Sequence, residues 1–227
     1  MQKKTYILSL GGSIIVPNGI DVDFLGDFKK LILSEIKKNK RFILVAGGGK
    51  LARNYKDAAA KLNKLTDEDK DWMGIHCTRL NAHLLRTVFR DYAEPHINHN
   101  PTKKEKFTKP ILCAAGWLPG CSTDYDAVLL AKQFKAKVIV NLSNIDQIYD
   151  KDPRFHDDAK KLEKMSWKEL RDLVGDTWTP GANWPFDPVA SKHAEKMKLK
   201  VVTMNGRNIK NFRAFLNDRK YIGTTIS

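Results

Sequence analysis

The residues best placed to do chemistry stand in the stretch Phe42-Ile-Leu-Val-Ala-Gly-Gly-Gly-Lys-Leu-Ala-Arg53. Apolar residues of strand type run into Gly47, Gly48 and Gly49, and a helical pattern begins straight after them. Consecutive glycines expose bare backbone N–H groups and admit a bulky anion where a Cβ would obstruct it. The helix start aims its positive end at the same spot, and Lys50 and Arg53 add full charges one turn apart. This describes a phosphate cradle. It is not the P-loop motif, because position 44 is Leu and Leu51 replaces the required Ser or Thr. A tight strand-to-helix turn with solvated cations would give the same residues, and the stretch alone does not choose.

Other segments offer compatible chemistry. A first strand ends at Gly11-Gly12-Ser13, a second glycine turn where backbone could meet phosphate. The loop Ala115–Thr123 carries Gly116 and Gly120 around Pro119, and its Ser122 and Thr123 hydroxyls precede a helix. That suits ligand contact, although hydroxyls before an apolar run are also ordinary N-caps. Asn144 and Asp146 follow a buried strand, at the edge where open α/β sheets place ligands. Read alone, Asp146 is a surface turn residue and Asp187 a helix cap. His83, His96 and His99 lack helical ligand spacing, which favours surface or packing roles over metal binding.

These residues need a frame. Strands are expected at Thr5–Leu10, Phe42–Ala46, Pro110–Ala114, Lys137–Leu142, Val201–Met204 and Thr224–Ile226. Asp21 caps a helix with Phe24, Leu25, Phe28, Leu31, Ile32 and Ile36 at helical spacing. Further helices are expected at Leu51–Leu62, from Asp124, at Trp167–Leu173, from Asp187 to Met197 and at Ile209–Leu216. Asp67–Arg90 reads as one long helix or a pair broken at Gly74, with Met73, Cys77, Leu80, Leu84, Val88 and Phe89 as its apolar stripe. Residues 94–109 suggest a short strand and an exposed loop, 148–153 a turn-rich segment, and 175–185 a mobile loop. Alternating strands and helices call for an α/β fold with a mainly parallel sheet covered on both faces.

The chain has 227 residues, with 42% hydrophobic and 29% charged, as in a soluble globular protein. No apolar run nears the ~20 residues needed to span a bilayer, and no signal peptide is visible, so a cytoplasmic location is expected. Asn141-Leu-Ser143 is then an idle glycosylation match, and Cys77, Cys113 and Cys121 read as reduced thiols. Forty basic against 26 acidic residues give a net charge of +14, which suits an anionic partner. The charge is dispersed, and no aromatic-rich basic ladder or zinc-finger spacing points to specific nucleic-acid binding.

Taken together, the segments resemble the amino acid kinase family, and within it the archaeal type of uridylate (UMP) kinase. The resemblance spans nearly the whole chain. Leu10-Gly-Gly-Ser-Ile-Ile-Val-Pro17, Gly47-Gly-Gly-Lys-Leu-Ala-Arg-Asn-Tyr55 and Asp71-Trp-Met-Gly-Ile-His-Cys-Thr-Arg-Leu-Asn81 carry it, in the family's order. Pro119-Gly-Cys-Ser-Thr-Asp124, Asn144-Ile-Asp-Gln-Ile-Tyr-Asp-Lys-Asp-Pro153, Asp187-Pro-Val-Ala-Ser-Lys192 and Gly223-Thr-Thr-Ile226 complete it. It implies a three-layer α/β/α sandwich, one domain over 1–227, with an acceptor lobe at about 1–136 and an ATP-binding lobe at about 137–227 on one sheet. It also implies phosphoryl transfer from ATP to UMP with Mg2+, in a homohexamer. Gly47, Gly48 and Arg53 match positions that hold the UMP phosphate, Asp71 the residue on the ribose hydroxyls, and Gly116 to Thr123 the loop gripping uracil and phosphate. Gly11, Gly12 and Ser13 match the turn facing the transferred group. Asn144, Tyr149, Asp152 and Pro153 fall in the motif against ATP, and Asp146 and Asp187 match acids around the triphosphate and its metal, with no certain metal ligand among them.

Such chemistry needs positioning and fixed positive potential more than an activated nucleophile, because a phosphate monoester is already nucleophilic. Two departures matter. Many relatives carry Lys where Ser9 stands, and Gln147 replaces a Gly, where a side chain would crowd the nucleotide or change the turn. With Ser9 uncharged, Lys50 is the candidate for the catalytic cation, since it follows the second glycine turn on a flexible stem. The resemblance extends to molybdenum storage proteins, non-catalytic binders of oxyanion clusters. The matches at Asp71 and the acceptor loop favour a kinase over that alternative, and Arg53 with Asp71 suits a nucleoside monophosphate over another acceptor.

Overall fold

A computed structural model describes residues 4–153, 155–177 and 184–227. In chain order the first half comprises β1 (Lys4–Leu10), α1 (Gly12–Ile15), α2 (Val22–Ile36), β2 (Lys40–Ala46), α3 (Gly49–Ala60), α4 (Asp67–Val88), β3 (Ala93–Asn98) and β4 (Ile111–Ala114). Then follow α5 (Thr123–Gln133), β5 (Val138–Ser143), β6 (Ile148–Tyr149), β7 (Lys161–Leu162), β8 (Lys164–Met165), α6 (Trp167–Val174), α7 (Pro188–Lys196), β9 (Lys200–Asn205), α8 (Ile209–Leu216) and β10 (Thr224–Ile226). Eight strands form one sheet in the order β3-β4-β2-β1-β5-β9-β10-β8. Pairing is parallel from β3 to β9, while β10 runs antiparallel to β9 and parallel to β8.

Both faces are covered, so the central strands are apolar on alternate and intervening positions alike. Tyr6, Leu8, Leu10, Phe42 and Leu44 face a core built with Phe28 and Ile32 of α2, Leu85 of α4 and Phe212 of α8. Ile7, Ile43 and Val45 face the other way, against Ala127 and Leu130 of α5, Leu170 of α6 and Ala194 of α7. The result is the three-layer α/β/α sandwich that the sequence implies.

Three details differ from the sequence reading, which left α4 open as one helix or two. The first glycine turn is the opening of a one-turn helix, α1. Helix α4 passes unbroken through Gly74, under a Thr66–Asp69 capping box. Its buried face is Ile75, Cys77, Thr78, Asn81, Ala82 and Leu85, with Leu80 61% exposed. Of the expected stripe Cys77 and Phe89 are buried and Leu84 and Val88 pack against the core, while Leu80 gives way to Thr78 and Asn81, which point inward to bond the loops described below. The two-residue strands β6, β7 and β8 are too short to show alternation. Within the expected mobile loop at 175–185, residues 178–183 lie outside the described residues.

Candidate active site

A cleft of about 620 Å³ opens at the C-terminal ends of β1, β2 and β5, lined among others by Gly12, Gly48, Arg53, Asp71, Asn144 and Asp187. It sits where the chain's crossovers leave β1 towards opposite sides, the location expected for ligands in an open parallel sheet.

The two glycine turns lie back to back. A Cβ on Gly12 would stand 1.9 Å from Gly49 N, and one on Gly47 2.5 Å from Gly12 N. Gly49 has φ +65°, which favours glycine on its own account. The turns thus require glycine to approach each other, and in doing so bring the first amides of α1 and α3 together. Not every glycine amide is free. Gly11 N–H donates to Leu142 O at 2.8 Å and Gly47 N–H to Leu10 O at 2.8 Å, locking the turns to the strands. The amides without intrahelical acceptors are those just inside the helices. Gly11, Gly12, Ser13, Gly47 and Gly48 all line the cleft.

Helix α4 holds this arrangement through polar residues that sequence reasoning missed. Asn81 Nδ2 donates to Gly47 O at 2.8 Å and Gly48 O at 3.3 Å. Thr78 Oγ1 accepts from Gly116 N–H at 2.8 Å, and Arg79 donates to the carbonyls of Gly116 and Trp117 at 3.3 and 3.1 Å. The visible signal was their position: buried polar residues on a helix need partners, and the nearest unpaired groups belong to the two loops. Asp71 joins them, its Oδ2 accepting from Gly120 N–H at 2.7 Å. In the role that the resemblance implies for Asp71, Asp71→Asn keeps an acceptor for Gly120 but loses the charge, and UMP binding should weaken a few-fold to ~100-fold. ATP binding should hold. Separate titrations of the two nucleotides check this, and equal losses would reduce Asp71 to a loop anchor.

Among the described cations, Arg53, Lys56 and Lys70 line the cleft. Lys50 does not: it is exposed on the first turn of α3, its backbone N–H donating to Val16 O at 3.2 Å. A position beside the glycines in sequence is not a position facing the cleft, because the turn at Gly49 redirects the chain.

The same cleft is lined by a pair of carboxylates. Ser9 Oγ donates to Asp124 Oδ1 at 3.0 Å, and Asp187 N–H to Asp124 Oδ2 at 3.2 Å. Burial first, then the neighbouring Asp187 charge, pushes the Asp124 carboxyl up to about 7. Burial also raises Asp187, whose Oδ1 caps α7 by accepting from Ala190 N–H at 2.6 Å. Asp187 Oδ2 is buried without a hydrogen bond; the Ser122 hydroxyl eases its charge but does not reach bonding geometry. Asp187 is therefore both the plain cap and a cleft residue. Asp126, fully buried below them, is raised to about 8 by burial and accepts from Trp117 N–H at 3.2 Å. Asp124 and Asp126 were missed in the sequence because both look like first-turn helix acids.

The remaining expected site residues form a neighbouring patch. Asp146 accepts from Asn205 Nδ2 at 3.0 Å and lies 4.0 Å from Lys161 Nζ, which stands over the Tyr149 ring. Asp152 and Pro153 continue the same segment, while Thr123, Asn144 and Gly116 line the cleft itself. Gln147 turns away from both. It is buried, with no positive φ, and its Nε2 donates to Leu162 O at 3.4 Å and Gly223 O at 3.3 Å. It neither crowds the cleft nor strains the turn; it ties the β6–β7 hairpin to the segment before β10. Gln147→Gly should lower stability by about 1–3 kcal/mol through two lost hydrogen bonds and added backbone freedom. Thermal unfolding measures this, and a Tm equal to wild type would show the tie to be worth nothing.

The sheet order, the paired glycine turns and the cleft at their meeting point define an α/β phosphotransferase scaffold. The sequence pattern of the amino acid kinase family matches residues 4–205, and the chain belongs to that family. Within it, the chain is similar to the uridylate kinase of Pyrococcus abyssi (strain GE5 / Orsay), 34% identical over 224 residues, covering 97% of this chain and 98% of the relative. It is 36% identical over 206 residues to the uridylate kinase of Methanosarcina barkeri, covering 89% and 87%. The crystal structure of uridylate kinase from Archaeoglobus fulgidus superposes with a TM-score of 0.82 at 32% identity, over 98% of this chain and 99% of that one.

Proposed function

We propose that this chain is a UMP kinase, transferring the γ-phosphoryl of ATP to UMP to give UDP and ADP. The observation that carries it is the one cleft that joins two glycine turns, Arg53, Asp71 and the pinned loop from Gly116 to Thr123. Two phosphates must be held in line and their charge neutralised, and the helix starts and cations of this cleft do both. The glycine turns and Arg53 grip the acceptor phosphate, while Asp71 and the loop take the nucleoside. The donor lies towards Asn144, Tyr149, Asp152 and Pro153, with the first half of the sheet (1–136) acting as acceptor lobe and the second (137–227) as donor lobe.

The carboxylates suit magnesium. Asp124 and Asp187 are neighbours through the Asp187 N–H bond to Asp124 Oδ2, neither has an ion-pair partner among the described residues, and Asp187 Oδ2 lacks a hydrogen bond, a donor set that a hard divalent ion accepts alongside phosphates. Asp124 and Asp187 would hold the ion, and bound there it would offset the negative charge of the triphosphate. A homohexamer in the cytoplasm completes the reading; exposed Tyr55, Leu62 and Leu80 around α3 and α4 supply apolar surface for an assembly to cover, and sedimentation measures its size. Incubation with ATP, Mg2+ and a panel of nucleoside monophosphates, carboxylates and isoprenoid phosphates tests the activity. ADP release with UMP above the other acceptors is expected. Binding of oxyanions without ADP release would favour the storage alternative.

A further inference from the structure

The parallel sheet has a second concave end. At the N-terminal ends of β1, β2 and β5, opposite the cleft, a groove of about 1680 Å³ runs between the loop 101–108 and the end of α5. Lys104 and Lys106 stand on the loop wall, and Lys132, Lys135 and Lys137 on the other. All five are exposed, and none has an acidic partner among the described residues. Glu105 is the only acid among the described residues lining the groove, and its two oxygens are taken by His96 and Asn98.

Lys4, which also lines the groove, pairs with Asp218. Cations from the loop and from the end of α5 converge on one concavity, which concentrates positive potential and repels itself until an anion enters. The groove is also built, not merely charged. Arg41 crosses its floor, its guanidinium 3.7 Å from the Phe107 ring centroid and donating to the carbonyls of Phe107 and Lys109. Its Nε is buried without a partner. Gln133 fastens the loop wall by donating to Lys103 O at 3.1 Å and Glu105 O at 3.4 Å.

We propose that this groove binds a contiguous chain of phosphates, free or carried by a nucleoside, at a site separate from the cleft. Tripolyphosphate presents such a chain without a nucleoside. Phosphate is what the lysines can read. Phe107 is covered by Arg41 and packed edge-on by Phe134 at 5.1 Å, and Tyr6 is buried beneath Lys4, so neither of these two rings offers a free face for the base stacking on which single-stranded nucleic-acid sites depend.

Calorimetric titration of the full chain with tripolyphosphate at low salt tests this. Binding should weaken at least ~10-fold in Lys132→Glu/Lys135→Glu and again in Lys104→Ala/Lys106→Ala, and collapse at high salt as screening shortens the reach of each charge. Because the two pairs sit on different walls, misfolding of one element cannot mimic both results; unfolding curves check each variant. Lys61→Glu/Lys64→Glu, which makes the same charge change as Lys132→Glu/Lys135→Glu, and a larger one than the alanine pair, outside the groove, should stay within about twofold, since distant exposed charges are screened. Equal weakening by that control would reduce the effect to net charge and overturn the site. So would binding abolished by Arg53→Ala yet retained in the groove variants, which would place the anion in the cleft. Displacement of tripolyphosphate by an oligonucleotide of matched charge at equal or lower concentration would overturn it in favour of a nucleic-acid surface.

Discussion

Arg53→Ala should raise KM for UMP by about 100-fold, while KM for ATP moves little, because a bidentate guanidinium–phosphate pair is among the stronger charge-assisted contacts. Arg53 lines the cleft one turn into α3, beside the glycines whose backbone approaches no side chain would allow. A loss in kcat of about tenfold should accompany it, since the acceptor oxygen must also be aimed. Lys50→Ala is the informative comparison. The sequence reading assigns Lys50 the transferred charge and requires a ~100-fold fall in kcat, as for a contact made in the transition state. Its exposure outside the cleft lining transfers that expectation to Lys56 and Lys70, which do line it. Steady-state ADP release with UMP and ATP varied in turn separates the cases. If Arg53→Ala raises both Michaelis constants alike, the acceptor phosphate is held elsewhere.

The parts of this molecule legible in the sequence are those written in local pattern. The run from Phe42 to Arg53 states strand, turn and helix outright, and Asp21, Ser122 and Asp187 cap helices as read. What stayed hidden depends on contacts between residues far apart. Gly12 and Gly49 must be glycine because of one another, and neither turn alone says so. Ser9 shows in sequence only as an absent lysine; in space it is a donor to Asp124, 115 residues later. Thr78 and Asn81 look like breaks in an apolar stripe until the loops they bond are placed beside them. Gln147 seemed to threaten the cleft because its neighbours in sequence face it, yet its amide bonds Gly223.

Asp124→Asn should make the protein more stable and a poorer enzyme at once. In the unliganded fold the Asp124 carboxyl is raised to about 7, by burial and then by Asp187, against 3.8 in a free chain. The unfolded chain therefore releases this proton at lower pH than the native one. As pH climbs from about 4 to about 7, the native state binds more protons, and stability falls by at most ~1.4 kcal/mol per pH unit for one group. Asp126, raised to about 8, adds to the same slope. An amide at position 124 can still bond Ser9 and accept from Asp187 N–H, but carries no charge to repel Asp187. The decline in Tm between pH 5 and 8 should shrink, by about 2–4 °C for each kcal/mol recovered in a domain of this size. Turnover should fall ~100-fold or more, because charge on the transferred group is met by fixed electrostatics that this pair helps to organise. The magnesium concentration giving half-maximal rate should rise, since one of the two carboxylates fitted to the ion is gone. Stability gained while activity is lost is the signature of residues kept for function against the fold's own preference. Calorimetry across pH, paired with rates over a magnesium series, reads both sides. A variant that loses stability and activity together would make Asp124 a structural residue, and normal turnover would remove it from the site.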